Sequence, residues 1–259
     1  MPAAPEPEQI YEATRQEGRR RLSRPLVELA ATALVGGFDV ATGVAAYTLV
    51  ASAIGGDRGR VAGAIAFGIG FVFVVVGKSE LFTENFLVPI AGLDAGDRGA
   101  WLKLAELWVV ALILNIAGGL LIAFILTSHG VLPHGSATPL VHLADHLTGY
   151  STLTSLLSAV IAGGLMTVMT WFVEGAAESM GVRIVMAWIV GALIVLGSFN
   201  HAIVSTIELV FGKRYGADVS YTQLFTNLGL AVLGNMIGGI GLVTLTRSSQ
   251  ARSGGNRGD

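Results

Sequence analysis

The polar residues that are best placed to do chemistry lie inside two long apolar segments. One segment, residues 61–92, carries Lys78, Glu80 and Glu84 near its middle, and the other is interrupted by a polar run that ends at His201. A charge at the centre of a bilayer costs about 2.5–3.5 kcal/mol on insertion scales, so a plain lipid-facing helix would not hold this set. Ionisable residues at this depth therefore indicate a route for a solute or a proton.

Both segments are predicted to be helices that break in mid-membrane. Irregular backbone at that depth is tolerated only where other protein buries it or water lines it. We predict breaks near residues 77–85 in the first segment and near residues 198–201 in the second. The half-helices would expose N-terminal amides, whose partial positive charge favours anions. The two breaks are expected to meet at one site, where folds of this kind bind their substrate.

The elements that must hold these residues belong to a chain with the composition of a membrane protein. Of its 259 residues, 53% are hydrophobic and only 13% are charged, whereas a soluble domain carries about 25% charged residues. One crossing needs roughly 20 apolar residues. Six segments meet that length, namely 27–54, 61–92, 104–127, 152–177, 184–211 and 224–246. The predicted fold is therefore an all-α membrane protein with six transmembrane helices across residues 26–246, and the lipid bilayer is its first partner.

The distribution of Lys and Arg predicts the orientation. With the N-terminus inside, eleven basic residues fall on the inner side, four fall on the outer side and Lys78 lies within a span. Cytoplasmic segments are the ones enriched in Lys and Arg, so we predict a multi-pass protein of the inner or plasma membrane with both termini in the cytoplasm. Residues 1–25 are interpreted as a solvated basic arm, and residues 247–259 as a disordered tail.

Two features recur at a fixed spacing of 120 residues. They are the motif Asn115-x-x-Gly118-Gly119, repeated as Asn235-x-x-Gly238-Gly239, and the polar interruption at residues 77–81, repeated at residues 197–201. If a unit of three helices is duplicated, the second copy enters the membrane from the opposite side, because three is an odd number of crossings. This predicts a 3+3 inverted repeat. The motif itself is interpreted as structural, since small residues let helices approach closely and Asn can form hydrogen bonds between helices.

Several function classes find no support in the sequence. There is no cysteine, so disulfides and thiol chemistry are excluded. Four histidines lie between residues 128 and 151: His129, His134, His142 and His146. Only His142 and His146 have the i, i+4 spacing of metal ligands on a helix, and no cysteine adds to them, so a solvated loop without metal is predicted there. No zinc-protease or serine-hydrolase motif and no phosphate-binding glycine loop occurs, so we predict neither an enzyme nor ATP-driven transport, and no cofactor. Apart from the arginines of the arm, nothing indicates nucleic-acid binding.

Taken together, the motifs resemble the formate/nitrite transporter family. The resemblance covers about residues 26–246 and rests on three stretches: Glu80-Leu81-Phe82-Thr83, Gly197-x-Phe199-x-His201 and Gly234-Asn235-x-x-Gly238-Gly239. It implies aquaporin-like protomers that each contain a pore, assemble as a homo-pentamer and pass small monovalent anions or their weak acids, such as formate or nitrite. It also implies a central pore histidine beside a threonine, between phenylalanine constrictions. The implied pore residues are Leu81, Phe82, Thr83, Phe199, Asn200 and His201.

This resemblance suggests a hypothesis for the central site. An anion faces a large desolvation cost in an apolar constriction, and a proton taken up there removes that cost. Histidine changes charge near neutral pH. We therefore expect His201, held by Thr83, either to stabilise the permeating anion or to protonate it.

The chain departs from the family pattern in its fourth span and in its charges. Family members usually have a lysine and a G-x-x-C-N stretch in that span, whereas residues 162–167 read AGGLMT here. Instead, a network of Lys78 with Glu80, Glu84 or Asp39 is predicted inside the membrane, and Glu174 and Glu208 are expected near helix ends, reaching water. A neutral solute, a proton or a cation is therefore the alternative cargo, and a non-transporting membrane scaffold is the other alternative.

Overall fold

The computed structural model describes residues 5–176 and 178–255, and all the regular structure in this part of the chain is helical. The elements are α1 (Pro7–Leu22), α2 (Leu26–Ile54), α3 (Gly56–Gly77), a 3-10 turn (Phe82–Phe86), α4 (Val88–Gly92), α5 (Arg98–Leu126), α6 (Ala137–Thr148), α7 (Thr152–Gly175), α8 (Met180–Leu196), α9 (Ala202–Arg214), α10 (Tyr221–Met236), a π-helical stretch (Ile237–Thr244) and α11 (Leu245–Gly255). Residue 177, the predicted end of the fourth span, lies outside the described residues.

Five of the described helices are long and apolar enough to cross a membrane. They are α2, α3, α5, α7 and the continuous helix Tyr221–Ala251. Helix α8 is apolar but shorter, and at 1.5 Å per residue it spans about 25 Å. Large apolar side chains such as Leu121, Ile113 and Leu157 point outward on these helices, as expected where lipid or a neighbouring protomer covers them.

The first predicted break is present between α3 and α4. Helix α3 ends at Gly77, and Lys78 adopts a left-handed backbone conformation with φ 54°. The chain then runs extended to the 3-10 turn, where the amide of Glu84 donates to the carbonyl of Leu81. Pro89 in the first turn of α4 starts the next helix, a position where proline's missing N–H is not needed.

The second predicted break lies between α8 and α9 and has the same form. Helix α8 ends at Leu196, and Ser198 is left-handed with φ 49°. Residues 199–201 run without helical structure, and α9 then begins with His201 as its N-cap. A side chain with positive φ is uncommon in proteins, so Lys78 and Ser198 mark two matched reversals of the backbone.

The two asparagines of the repeated motif hold these breaks in place. Asn115 accepts a hydrogen bond from the amide of Phe82 at 2.8 Å and donates to the carbonyl of Glu80 at 2.8 Å. Asn235 accepts from the amide of Ala202 at 2.9 Å and donates to the carbonyl of Asn200 at 3.0 Å. Each side chain therefore pairs backbone groups that no helix pairs. We call these two sets of contacts the Asn115 clamp and the Asn235 clamp.

The glycines of the same motif allow the helices to touch. A Cβ atom added to Gly118 would lie 2.1 Å from the carbonyl oxygen of Leu34 on α2, and one added to Gly238 would lie 1.9 Å from that of Val160 on α7. No side chain fits at such distances. The predicted packing role of the motif is therefore confirmed.

The C-terminal tail differs from the prediction. Residues 245–255 are helical rather than disordered, because α11 continues the preceding helix and packs against α1. Ala251 is buried there, so a tertiary contact offsets the low hydrophobicity of the tail. Residues 256–259 lie outside the described residues.

Candidate functional site

The two breaks meet at the centre of the molecule. Thr83 Oγ1 and His201 Nε2 are 2.8 Å apart, and both side chains are fully buried. The two residues are 118 positions apart in sequence. The predicted juxtaposition of the two breaks is therefore present in the structure.

The contacts of His201 define its tautomer. Nδ1 accepts hydrogen bonds from the amides of Ile203 at 3.3 Å and Val204 at 3.1 Å, as an N-cap does. A nitrogen that accepts carries no proton, so the hydrogen of the neutral ring is assigned to Nε2. Nε2–H then donates to Thr83 Oγ1. The threonine hydroxyl has no other hydrogen-bond partner among the described residues, so its own hydrogen is free to donate.

Aromatic rings surround this central pair. Phe71 lies with its ring centroid 5.9 Å from that of His201, and Phe82 and Phe86 make an edge contact at 5.2 Å. Leu81 and Phe82 are buried at the break, and their role as pore residues stays a prediction. Phe71 and Phe86 were not predicted as site residues, because in sequence they look like any other apolar residue of a span.

Asn200 is engaged in a buried polar cluster. Its side-chain amide donates to Ser155 Oγ at 2.7 Å and to Asn227 Oδ1 at 2.9 Å, and its side-chain carbonyl accepts from Asn227 Nδ2 at 3.1 Å. Its own amide donates to Ser158 Oγ. These contacts use the polar atoms of Asn200 to hold α7 and α10 against the second break, and Asn227 has no signal in the sequence that would have identified it.

Phe199 borders a small enclosed space that we call the Glu208 cavity. Its other walls include Ser198, Val204 and Glu208, together with leucines from α6, and its volume of about 10 Å³ is roughly that needed for one water molecule. Glu208 lies well inside α9 and is 5% exposed. The expectation that it sits near a helix end and reaches water is therefore wrong.

A much larger hollow, which we call the α6 depression, lies beside this cavity. It measures about 770 Å³ and is lined by residues that include Tyr47, His142, His146 and Ser198. Tyr150 donates from its hydroxyl to the carbonyl of Ser198 at 2.9 Å. Burial, and after it the nearby Glu208, raises the pKa of Tyr150 above its usual value. The hydroxyl therefore stays protonated and keeps this hydrogen bond.

The histidine-bearing segment is more ordered than predicted. Much of it forms α6, which packs against α9. The buried apolar face of α6 includes Leu140, Leu143 and Leu147. The four histidines are solvent-exposed, as predicted. No cluster of three or more His, Cys, Asp or Glu side chains that could hold a metal ion occurs in residues 5–176 and 178–255.

The predicted intramembrane charge network has different members from those expected. Lys78 is exposed and forms no ion pair with the described residues, and Asp39 accepts a hydrogen bond from Ser79 at 2.6 Å instead. Glu80 and Glu84 are buried, and both are bound by arginine from the N-terminal arm.

The arm contributes this positive charge through two residues. Arg21 Nη1 lies 3.1 Å from Glu80 Oε1 and 3.1 Å from Asn85 Oδ1, and Arg24 Nη1 contacts Glu80 Oε2. Glu84 Oε2 is 3.9 Å from Arg21. Residues 5–24 are therefore not a solvated tail: α1 packs against α4, α7 and α11, and its last turn neutralises the acids of the first break.

The charge state of this contact follows from its surroundings. Burial alone would lower the pKa of Arg21, but the carboxylates of Glu80, Glu84 and Glu17 outweigh burial and raise that pKa. Arg21 therefore stays cationic. A cavity of about 190 Å³ lies next to the contact, lined by residues that include Arg20, Lys78 and Arg183; we call it the arm cavity. Glu174 also borders it, one residue before the end of α7, as predicted.

Comparison with known proteins places this architecture in a family. The profile of the formate/nitrite transporter family matches residues 8–248. The inner membrane protein YfdC of Escherichia coli is 24% identical over 94% of this chain and 78% of its own length. The formate channel BtFdhC of Bacillus thuringiensis is 24% identical over 92% of each chain. These relatives are membrane proteins and channels, not enzymes.

A solved structure supports the same assignment at the level of the fold. A pentameric formate channel with formate bound superposes with a TM-score of 0.73, covering 86% of this chain and 96% of the channel at 20% identity. The profile match extends from the arm through the last membrane helix, and it includes both breaks and both asparagine clamps. The chain belongs to the formate/nitrite transporter family.

Proposed function

We propose that the protein is a membrane channel or carrier for small monovalent anions or their weak acids, with formate as the first candidate. The observation that carries the proposal is the buried Thr83–His201 pair at the meeting point of two broken helices. Formate is favoured because the relative BtFdhC is a formate channel and one matching solved structure contains formate.

We further propose six membrane crossings arranged as a 3+3 inverted repeat. The second and fifth crossings are the broken ones, α3 to α4 and α8 to α9. The Asn115 and Asn235 clamps support this, because each contacts backbone groups that are related by the same spacing of 120 residues. The left-handed residues Lys78 and Ser198 are related by that spacing as well.

In the proposed orientation, the arm and the tail lie on the cytoplasmic side of the membrane, and α6 lies on the opposite side. The excess of Lys and Arg on the arm side supports this orientation. A homo-pentamer in the inner membrane is proposed from the relatives, since the matching channel is pentameric and YfdC is an inner membrane protein. The apolar side chains exposed on the isolated protomer are consistent with covering by lipid and neighbouring protomers.

The geometry favours stabilisation of the solute by the central pair rather than proton transfer from His201. Protonation of the ring would place a hydrogen on Nδ1, which already accepts from the amides of Ile203 and Val204. The neutral ring instead polarises Thr83, whose free hydroxyl hydrogen can donate to an oxygen of the solute, in the anion or in its weak acid. Such a hydrogen bond contributes about 0.5–1.5 kcal/mol when the acceptor is neutral and about 1.5–3 kcal/mol when it is charged, so a change in rate or binding of about tenfold or more is expected.

Flux measurements in reconstituted vesicles test this proposal. Formate, nitrite and acetate uptake should exceed that of protein-free vesicles. Thr83→Val keeps the shape of the side chain and removes the hydroxyl, so formate flux should fall about tenfold or more. Thr83→Ser is the matched control and should retain most of the flux. If Thr83→Val, His201→Ala and His201→Asn all leave the flux and its pH dependence intact, the central pair has no such role.

The same vesicles distinguish the alternative functions. Water or glycerol flux, or a current that does not depend on the anion, would favour a neutral or cationic cargo. Absence of every flux in protein that is folded and pentameric would favour a membrane scaffold without transport.

A further inference from the structure

Glu208 is a buried acid that the central site does not use. It is 5% exposed and lies seven residues after His201, about two turns along α9. Glu80 and Glu84, the other buried acids, are bound by arginines of the arm. Glu208 has no hydrogen bond and no ion pair with the described residues. An acid in this situation needs a reason to be there, since an unpaired carboxylate in apolar surroundings is very costly.

The position of Glu208 connects the surface to the centre. It forms a wall of the Glu208 cavity together with Phe199 and Val204. Ser198 borders both this cavity and the large α6 depression. Val204, another wall of the cavity, donates its amide to His201 Nδ1 at 3.1 Å. The Glu208 cavity therefore shares Ser198 with the depression and Val204 with the contacts of His201, which is the basis for placing Glu208 on the route between them.

No ion pair joins Glu208 to a cation in the part of the chain that the structure describes. The charged and titratable side chains that line the adjoining α6 depression are Tyr47 on α2, Asp57 and Arg60 on α3, and His142 and His146 on α6. Tyr150, which follows α6, lies 3.0 Å from His146 and donates to the carbonyl of Ser198. Residues 107–126 of α5 and residues 221–236 of α10, which also pack on α9, contain no charged side chain. Lys213 on α9 itself is turned to the carbonyl of Val219, and Glu84 of the 3-10 turn borders the arm cavity on the other side.

We propose that Glu208 is a proton-exchange site on the α6 side of the route, so that the solute crosses the centre as a neutral weak acid. A carboxylic acid in the Glu208 cavity gives its proton to the oxygen of the entering carboxylate. The O–H bond of Glu208 breaks, the O–H bond of the weak acid forms, and the glutamate takes a new proton from water in the α6 depression. One proton then accompanies each anion.

This role complements the central pair. The neutral ring of His201 does not protonate the solute. Nδ1 carries no hydrogen because it accepts from two backbone amides, and the hydrogen on Nε2 is already donated to Thr83. Thr83 can orient a passing acid but cannot protonate an anion. The proton must therefore come from another group, and among the described residues Glu208 is the acid that borders the cavity next to Phe199. The inference rests on the proposed function and adds the residue that couples it to protons.

Proton-coupled uptake by reconstituted pentamers tests the inference. Vesicles that contain a trapped pH-sensitive dye receive an inward formate gradient, and formate entry and internal acidification are recorded together between pH 5 and pH 8. Wild-type protein should acidify the interior in proportion to formate entry, with a rate that rises as the external pH falls. Glu208→Gln is nearly isosteric and cannot give a proton, so we expect the formate rate at acid pH to fall about tenfold or more, with a flat pH profile.

Two further variants make the result interpretable. Glu208→Asp keeps the carboxyl group and should retain the acidification and the pH-dependent profile, at a reduced rate. Asp218→Asn removes an exposed carboxylate from the loop that follows the same helix, and it should leave both readouts unchanged. Size-exclusion elution and melting temperature in detergent check that each variant is folded, and a misfolded Glu208→Gln leaves the Glu208→Asp profile as the deciding measurement.

The outcomes separate this inference from the proposed function. Suppose that wild-type vesicles carry formate, and that vesicles containing Glu208→Gln also acidify, with the same pH profile as wild type. The role of Glu208 is then overturned, and the proposed function stands. The same holds if Glu208→Asp is folded yet has lost its pH dependence. If wild-type vesicles never exceed protein-free vesicles for any weak acid, the proposed function fails and this inference fails with it.

Discussion

The two helix breaks share one backbone arrangement and differ in their side chains. In both, a residue with positive φ reverses the chain, and an asparagine 37 positions further on satisfies the freed backbone groups. At the position whose carbonyl accepts a hydrogen bond from the clamp asparagine, however, the first break has Glu80 and the second has Asn200. One position later, the first break has Leu81 and the second has His201.

The charge of Glu80 explains why only the first break recruits the arm. A buried carboxylate needs cationic partners, and Arg21 and Arg24 provide them from outside the six proposed crossings. Asn200 needs only neutral partners, which Ser155 and Asn227 provide from neighbouring helices. The clamp therefore determines the backbone conformation of a break, whereas the side chain at one position, Glu80 or Asn200, decides which other part of the protein must pack against the break.

The largest expected effect comes from changing the charge at these two matched positions. Glu80→Gln removes the buried carboxylate that Arg21 and Arg24 share, so that the acids left near them are the more exposed Glu17 and Glu28 and the more distant Glu84. Asn200→Asp introduces a charge that no arginine reaches. Each should lower the free energy of unfolding by about 3–5 kcal/mol, since one member of a buried pair is left alone. Chemical unfolding in detergent micelles measures the loss.

A combined variant sharpens this prediction. Glu80→Gln together with Arg24→Gln removes the charge on both sides of their contact and leaves Arg21 with Glu17 and Glu84, so most of the stability should return. A double variant that is no more stable than Glu80→Gln alone would mean that the arm and the first break are not coupled through charge.

The next largest effect tests whether the two clamps are equivalent. Asn115→Ala and Asn235→Ala each remove three buried hydrogen bonds. Each should cost about 3 kcal/mol, because the amide and the carbonyl of the break that the asparagine binds have no other hydrogen bond among the described residues. Melting temperatures measured side by side give the comparison, and a loss confined to one of the two variants would break the proposed equivalence of the halves.

A smaller effect is expected from the glycines that follow each clamp. Gly118→Ala and Gly238→Ala force a Cβ atom against the carbonyls of Leu34 and Val160, which should cost about 2 kcal/mol each through overpacking. Gly229→Ala, on α10 where a Cβ atom meets nothing within 4 Å, is the control and should be neutral or slightly stabilising. Equal stability of all three variants would show that close packing is not required.

The smallest effect concerns the pH dependence of the arm. Burial acts to raise the pKa of Glu17, but Arg20 and Arg21 outweigh it, so this pKa lies below its ordinary value of 4.5. A lowered pKa gives stability that is fully present above pH 4.5 and is lost as the pH falls through the lowered value. The pair is partly exposed, so the loss should be about 1 kcal/mol or less.

Protease cleavage of α1 at a series of pH values measures this loss. The arm should become more accessible as the pH falls below 4.5. Glu17→Gln should be slightly less stable at neutral pH and should show a weaker response to acid. An equal response in wild type and variant would assign the effect to the acids of the first break instead.

Much of the site was predictable because its signals are local in the sequence. Charges and glycine inside apolar segments revealed both breaks, since a lipid-facing helix does not tolerate them. The two NxxGG motifs and their spacing indicated close helix packing with asparagine hydrogen bonds between helices, although not that these bonds hold the breaks. The family motifs identified Thr83 and His201 as neighbours.

The sequence by itself thus determined which segments are apolar enough for the membrane, where two of them break and which pair lies at their meeting point. Only the tertiary structure decided that Arg21 and Arg24 are the partners of Glu80, that α6 and α11 are helices, and that Glu208 is buried without a partner. Hydrophobicity and helix-breaking residues act along the chain and can be read from it. The partner of a charge depends on which surfaces pack together. Arg21 and Arg24 precede Glu80 by 59 and 56 residues in the sequence, and no local pattern encodes a contact over that separation.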